Sequence, residues 1–211
     1  METIVHLMRH GQVANPQHVL YERLPGFHLS DLGVQQAVAA SRFFVSRPIT
    51  HLRCSPLERA QESMRPVAAL FPQLPVVTDD RVIEAGNKLA GQVMGRMGKA
   101  AWQPKNWHHL VNPLRPSWGE SYAEMAERMT GAIMDAAEAA GDGEAVVVSH
   151  QLPIWMARRS AEGHHLWHDP RKRQCTLCSI TSFHVADGTV IRIEYAEPAA
   201  ALLSDVPHFG F

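Results

Sequence analysis

The sequence predicts a single α/β domain built on a mostly parallel sheet. Two features point there: short β-branched apolar runs alternate with longer amphipathic stretches, and polar clusters recur where those runs end. A third is size, since 211 residues, 45% of them hydrophobic, can bury one substantial core. Repeats and low-complexity tracts are absent from the sequence.

The elements follow in order. Ile4-Val5-His6-Leu7-Met8 reads as a buried strand that stops at Arg9-His10-Gly11, where glycine permits a sharp exit. Ser30 is placed to cap a helix running through Leu32, Ala37, Ala40 and Phe44, and Pro48 clears the chain for a strand near residues 49–54. Ser55-Pro56 opens the next helix, because proline is tolerated in a first turn. A short strand is expected around Val76-Val77. Residues 85–119 hold five glycines, three prolines and three of the five tryptophans, and read as an inserted lid or wall. Helical spacing resumes at Tyr122, Met125, Met129 and Ile133 and ends near Gly141. Ala145-Val146-Val147-Val148 is the plainest buried strand, and it ends at Ser149-His150. After another helix, residues 177–184 and 189–195 flank Asp187-Gly188, a dipeptide that favours a hairpin. The tail 198–211 carries no readable pattern.

Composition narrows the function. Twenty Lys and Arg against twenty-one Asp and Glu give a net charge of -1, which argues against a protein held to nucleic acid by its overall field. The start, Met1-Glu2-Thr3-Ile4-Val5, lacks the cationic and apolar segments of a secretory signal, and no run approaches about 18 apolar residues. A cytoplasmic location with no membrane partner is therefore expected. Cys54, Cys175 and Cys178 are too few for a disulfide framework, and Cys175-x-x-Cys178 has no second ligand pair at finger spacing, so it reads as structural. His164-His165-x-x-His168 and His108-His109 have no carboxylate at suggestive spacing, so neither reads as a metal site, and no cofactor is expected. Arg171-Lys172-Arg173, beside Pro170, reads as a solvated turn and at most an auxiliary anion contact.

In open α/β sheets ligands collect at the carboxyl ends of strands. Three polar clusters fall there: Arg9-His10-Gly11, Ser55-Pro56-Leu57-Glu58-Arg59 and Ser149-His150. Arginine and histidine side chains gathered in such a crevice suit a phosphoryl group, whose oxygens accept guanidinium and imidazole N–H bonds.

Arg9-His10-Gly11 after an N-terminal strand, Asn15, the Ser-Pro-Leu-x-Arg-Ala run at 55–60, Glu84 and Ser149-His150 together resemble the histidine phosphatase superfamily, also called phosphoglycerate mutase-like. The resemblance runs in order from about residue 3 to 195, with Gly26, Leu29-Ser30, Gly33, Gln36-Ala37 and Gly119-Glu120-Ser121 also matching; Gln12 departs, standing where many members carry an acidic residue or threonine. It implies a three-layer α/β/α sandwich, a metal-independent phosphatase acting on a small phosphomonoester, and no cofactor. It further implies His10 as the nucleophile, Arg9, Arg59 and His150 around the transferred oxygens, Asn15 as a further donor, and Glu84 as general acid and base. The alternatives are mutase-type phosphoryl transfer, whose substrate segment Asn87-Lys88-Leu89-Ala90-Gly91 does not reproduce well, and a non-catalytic phospholigand-binding protein. Lys88, Arg96, Lys99, Lys105 and Arg115, with no acid among residues 85–119, read either as contacts for an anionic substrate or as a solvated surface loop on a chain that balances its charge elsewhere. Trp102, Trp107 and Trp118 read either as a pocket wall or as pins for the loop. Tyr21, Arg23, Trp102 and Arg115 are candidates for substrate contact.

Overall fold

The computed structural model describes residues 2–86, 91 and 119–203. Among these, six strands form one sheet: β1 (Glu2–Arg9), β2 (Ile49–Cys54), β3 (Val76–Thr78), β4 (Glu144–Ser149), β5 (Ile180–Ala186) and β6 (Thr189–Ala196). Their spatial order is β3-β2-β4-β1-β5-β6. The first four of that order run parallel, and β5 and β6 add an antiparallel edge.

The two-residue period of the strands divides the core into two layers. Val5, Leu7, Ala145, Val147 and Phe183 face α3 (Tyr122–Ala140) and α4 (Gln151–Ala161), meeting Met129, Ile133 and Ile154. Met8, Leu52, Val146, Val148 and Ile180 face the other way, against Ala37 and Ala40 of α1 (Asp31–Ser41) and Ala60, Met64 and Val67 of α2 (Glu58–Ala68). Helices thus cover both faces, the three-layer sandwich that the family resemblance implies.

The ends of the elements largely follow the sequence signals. Ser30 caps α1 by accepting from Gly33 N–H. α3 carries a reciprocal capping box between Ser121 and Glu124 and stops at Gly141, whose φ of 58° suits glycine. Asp187 and Gly188 both have positive φ in the tight turn that joins β5 to β6.

Three boundaries differ from expectation. The expected helix through Phe44 ends at Ser41 and tightens into a 3₁₀ turn over Arg42–Phe44. Pro56 lies outside α2, which starts at Glu58, because the Ser55 hydroxyl is turned to His150 and the chain bends before the helix begins. The strand expected from residue 177 begins at Ile180. Cys175 and Cys178 therefore lie in the loop before β5, Cys178 in a turn at φ 55°, and not along an extended strand. All three cysteines are buried free thiols. Burial pushes the Cys178 thiol up to about 12.

Candidate active site

The carboxyl ends of β1, β2 and β4, neighbours in the middle of the sheet, are laced together by backbone bonds. His10 N–H donates to Ser149 O at 3.1 Å and Ser55 N–H to Val148 O at 3.0 Å. A helix start presses on this junction from one side. A Cβ on Gly11 would stand 2.5 Å from Gly33 O, and one on Gly33 only 2.1 Å from Gln12 O, so both positions need glycine for the backbones to meet. Gly11 N–H is held by Ser63 Oγ at 3.0 Å, and the Gln12 side chain turns away to accept from Ser30 Oγ at 2.7 Å.

This junction buries His10 to 2% exposure and leaves its Nδ1 2.8 Å from Gly11 O. A carbonyl only accepts, so Nδ1 carries the proton and Nε2 keeps its lone pair. His150 lies beside it, ring centroids 5.1 Å apart, with Nε2 2.8 Å from Ser55 Oγ. Burial, and then the positive charge of Arg59, hold both histidines well below the ordinary histidine value, so both are neutral at neutral pH.

Arg9 and Arg59 complete the enclosure. Arg9 Nη1 donates to Cys175 O at 2.7 Å, and Arg59 Nη2 to Glu22 O at 2.5 Å, with the Arg59 guanidinium 4.8 Å above the Tyr21 ring. Seven buried side-chain atoms lack a hydrogen-bond partner among the described residues. Four of them are Arg9 Nε, Arg59 Nε, Arg59 Nη1 and His150 Nδ1. Each such group costs roughly 1–3 kcal/mol unless something accepts from it. Unpaired donors beside one buried histidine suit an anion chemically.

Glu84 reaches this pocket from the loop after the 3₁₀ turn at Asp80–Val82. Its Oε2 lies 4.0 Å from His150 Nδ1, and its Oε1 accepts from Ala85 N–H at 2.8 Å. A brace from outside holds this loop. Arg23 Nε donates to Glu84 O at 2.6 Å and its Nη2 to Glu120 Oε2 at 3.1 Å, while Arg128 grips both Glu120 oxygens at 2.5 and 2.9 Å and donates to Arg81 O. Ser149 Oγ adds a bond to Val82 O at 2.7 Å.

The structure thus brings His10, Arg9, Arg59, His150 and Glu84 together. Tyr21 lies beneath Arg59 and stacks on Phe27 at 5.0 Å. Arg23 bonds Glu84 O through Nε and Glu120 through Nη2, and its side chain stays 42% exposed. Asn15 bonds at both ends of its amide to the backbone of Val19, at 2.8 and 2.9 Å, and so shapes its own loop. Trp102, Trp107, Trp118, Lys88, Arg96, Lys99, Lys105, Arg115 and His108-His109 lie outside the described residues, as does most of the segment 85–119. Among the described residues no group of three or more His, Cys, Asp or Glu is arranged to hold a metal, and no helix is long and apolar enough to cross a membrane.

The sequence reading missed the orienting roles of Ser55, Ser63 and Glu120. Ser55 and Glu120 sit inside the recognised motifs, at 55–60 and 119–121, so position hinted at them while contact did not. The carbonyl of Cys175, which fixes Arg9, has no sequence signal at all.

The model of the histidine phosphatase superfamily (branch 1) matches residues 5–196. The chain is 47% identical over 201 residues to the uncharacterized protein Rv0525 of Mycobacterium tuberculosis, covering 94% of this chain and 98% of that protein. Among solved structures it resembles the mycobacterial glucosyl-3-phosphoglycerate phosphatase Rv2419c, with TM-score 0.73, 21% identity and coverage of 93% and 98% of the two chains. It also resembles the phosphoserine phosphatase of Entamoeba histolytica, solved with 3-phosphoglyceric acid, with TM-score 0.72, 17% identity and coverage of 93% and 99%.

Proposed function

The chain belongs to the histidine phosphatase superfamily, and from that premise we propose that it is a phosphatase that hydrolyses a small phosphomonoester through a phosphohistidine at His10. The observation that carries this reading is the neutral, buried His10 with its Nε2 lone pair free, set among guanidinium and imidazole nitrogens with no partner of their own among the described residues.

In the first half-reaction His10 Nε2 bonds to phosphorus as the ester P–O bond breaks, and Glu84, as the acid, protonates the departing oxygen. The imidazolium formed keeps its Nδ1–H on Gly11 O, which favours the charged ring. In the second half-reaction the Glu84 carboxylate takes a proton from water, the water oxygen bonds to phosphorus, the P–N bond breaks, and neutral His10 and inorganic phosphate remain. Arg9 Nε, Arg59 Nε and Nη1, and His150 Nδ1 supply preorganised donors for the phosphoryl oxygens and supply positive charge without a metal. For His150 to donate from Nδ1, Ser55 Oγ–H must donate to its Nε2, a role its 2.8 Å separation permits.

The test is phosphate release from a panel of phosphomonoesters in the presence of a chelator, comparing the wild-type chain with folded His10→Ala. Release and an acid-labile phosphoenzyme are expected in the wild type only. Equal release from both proteins would overturn the assignment. Phosphoglycerate supplied with its bisphosphate primer separates hydrolysis from mutase-type transfer.

A further inference from the structure

Three consecutive residues of one turn hold different parts of the site. The turn at residues 21–24 is closed by Leu24 N–H on Tyr21 O at 2.6 Å. Tyr21 lies beneath the Arg59 guanidinium, and Glu22 O accepts from Arg59 Nη2. Glu22 is held at φ 38°, in the left-handed region that residues other than glycine enter at a cost. The next side chain, Arg23, crosses to the loop that carries Glu84. Its Nε donates to Glu84 O at 2.6 Å, and its Nη2 to Glu120 Oε2 at 3.1 Å. A Cβ on Gly86 would stand 3.4 Å from Arg23 Cζ, so the same guanidinium also rests against the backbone two residues past the acid.

The other ties on the Glu84 loop come earlier along the chain. Arg128 donates to Arg81 O and Ser149 Oγ to Val82 O. At Glu84 itself, Arg23 is the one side chain among the described residues that bonds the backbone. The Glu84 carboxyl accepts from the N–H of its neighbour Ala85 and stands 4.0 Å from His150 Nδ1, so its place in the site follows the backbone at 84. Glu120 steadies Arg23 in turn, because Arg128 grips both of its oxygens from the far side. A planar guanidinium bonded to a carbonyl through one edge and to a fixed carboxylate through another has a single orientation.

We propose that Arg23 is a positioning residue for Glu84: by tying the Glu84 backbone to the turn that seats Arg59, it sets the distance between the acid and the phosphoryl donors. The role rests on the phosphatase reading, with Glu84 as the acid, and it replaces the substrate contact expected for Arg23 from sequence. A general acid acts only within hydrogen-bond reach of the oxygen it protonates, so a loop displaced by about 1 Å loses much of the proton transfer. Binding of the phosphoryl group by Arg9, Arg59 and His150 does not depend on that reach. Loss of Arg23 therefore acts selectively on esters whose leaving oxygen needs a proton.

The probes are phenyl phosphate and 4-nitrophenyl phosphate, assayed on the full chain. They share one ring, but phenolate departs readily only when protonated, whereas the nitro group stabilises its phenolate enough to leave without a proton. The comparison uses kcat/KM, which covers the steps through departure of the leaving group and omits the later attack of water. Glu84→Gln should lower kcat/KM roughly a hundredfold on phenyl phosphate and only severalfold on the nitro ester. Arg23→Gln should repeat that pattern at smaller amplitude, roughly tenfold against less than about twofold. Arg23→Lys, which reaches one partner at a time, should fall between and serves as a second variant if the glutamine form folds poorly. Adding Glu120→Gln to Arg23→Gln should deepen the loss little, because both act through one contact. Equal losses on the two esters in the Arg23 variants, or a loss confined to KM, overturn the positioning role. If Glu84→Gln is selective and Arg23→Gln is not, that role alone falls; if Glu84→Gln is itself unselective, the acid assignment falls and the positioning role with it.

Discussion

His6 and His150 are both fully buried on or beside adjacent central strands, yet they are treated in opposite ways. His6 has a partner at each ring nitrogen, Ser182 Oγ at 2.7 Å and Glu144 Oε2 at 2.8 Å. His150 has Ser55 at Nε2 and, among the described residues, no hydrogen-bond partner at Nδ1, where Glu84 Oε2 stands 4.0 Å away. The same contrast separates two buried arginines of β2 and α2. Arg53 donates to Asp79 at 2.7 Å, whereas Arg59 leaves two nitrogens unmatched. At His6 and Arg53 the fold supplies partners within the scaffold. At the carboxyl ends of β1, β2 and β4, nitrogens of Arg9, Arg59 and His150 have no hydrogen-bond partner among the described residues, a pattern that suits an anion.

The largest effect that tests this contrast is on activity. With His10 as the proposed nucleophile, His10→Ala should lower phosphate release on the order of 10⁴-fold or more. His6→Ala should instead lower stability by about 1–3 kcal/mol, since Ser182 and Glu144 lose a shared buried partner, while kcat/KM stays within a few-fold. Steady-state kinetics set beside urea melts distinguish the two outcomes, and a His6 variant as inactive as the His10 one would break the distinction.

The arginine pair gives the next largest effect. Arg59→Ala should cost roughly 10² to 10³ in kcat/KM through lost stabilisation of phosphoryl charge. Arg53→Ala should cost about 2 kcal/mol of stability and little activity, a figure kept below the range for a fully broken buried pair because Asp79 retains Arg81 at 2.8 Å. Smaller again is Ser55→Ala, where loss of the group that orients His150 should lower kcat/KM roughly tenfold; an unchanged kcat/KM would remove Ser55 from the mechanism.

These contrasts also show what a sequence can and cannot disclose. Strand positions were legible because β1 and β4 are short apolar runs that end at polar residues, with Gly11 marking the sharp exit of the first. Arg9, His10, Arg59 and His150 were legible as candidates because each lies within a few residues of a strand end. The brace on the Glu84 loop was not, since Arg23 and Glu120 stand 97 residues apart in sequence and only the folded chain introduces them.

The smallest effect, and the one that sharpens the contrast most, is the dependence of stability on pH. His6, His10 and His150 are all held below the ordinary value of 6.5, so the native chain keeps them neutral where the unfolded chain would protonate them. A lowered folded pKa gives stability that is fully present above the unfolded value and is lost as pH falls beneath it, at up to about 1.4 kcal/mol per pH unit for each histidine that stays neutral. The causes nevertheless differ. At His6 burial acts against the opposing pull of Glu144, whereas at His10 and His150 the charge of Arg59 adds to burial. Removing that charge in Arg59→Ala should let His10 and His150 take up protons at higher pH in the native state, so the loss of stability between pH 6.5 and 5 becomes shallower. Arg53→Ala, outside the pocket, should alter the slope only through His51, which burial and then the Arg53 charge hold below the ordinary histidine value. Urea denaturation across this range measures both slopes, and a parallel fall in all three proteins would mean that Arg59 does not govern the protonation of the paired histidines.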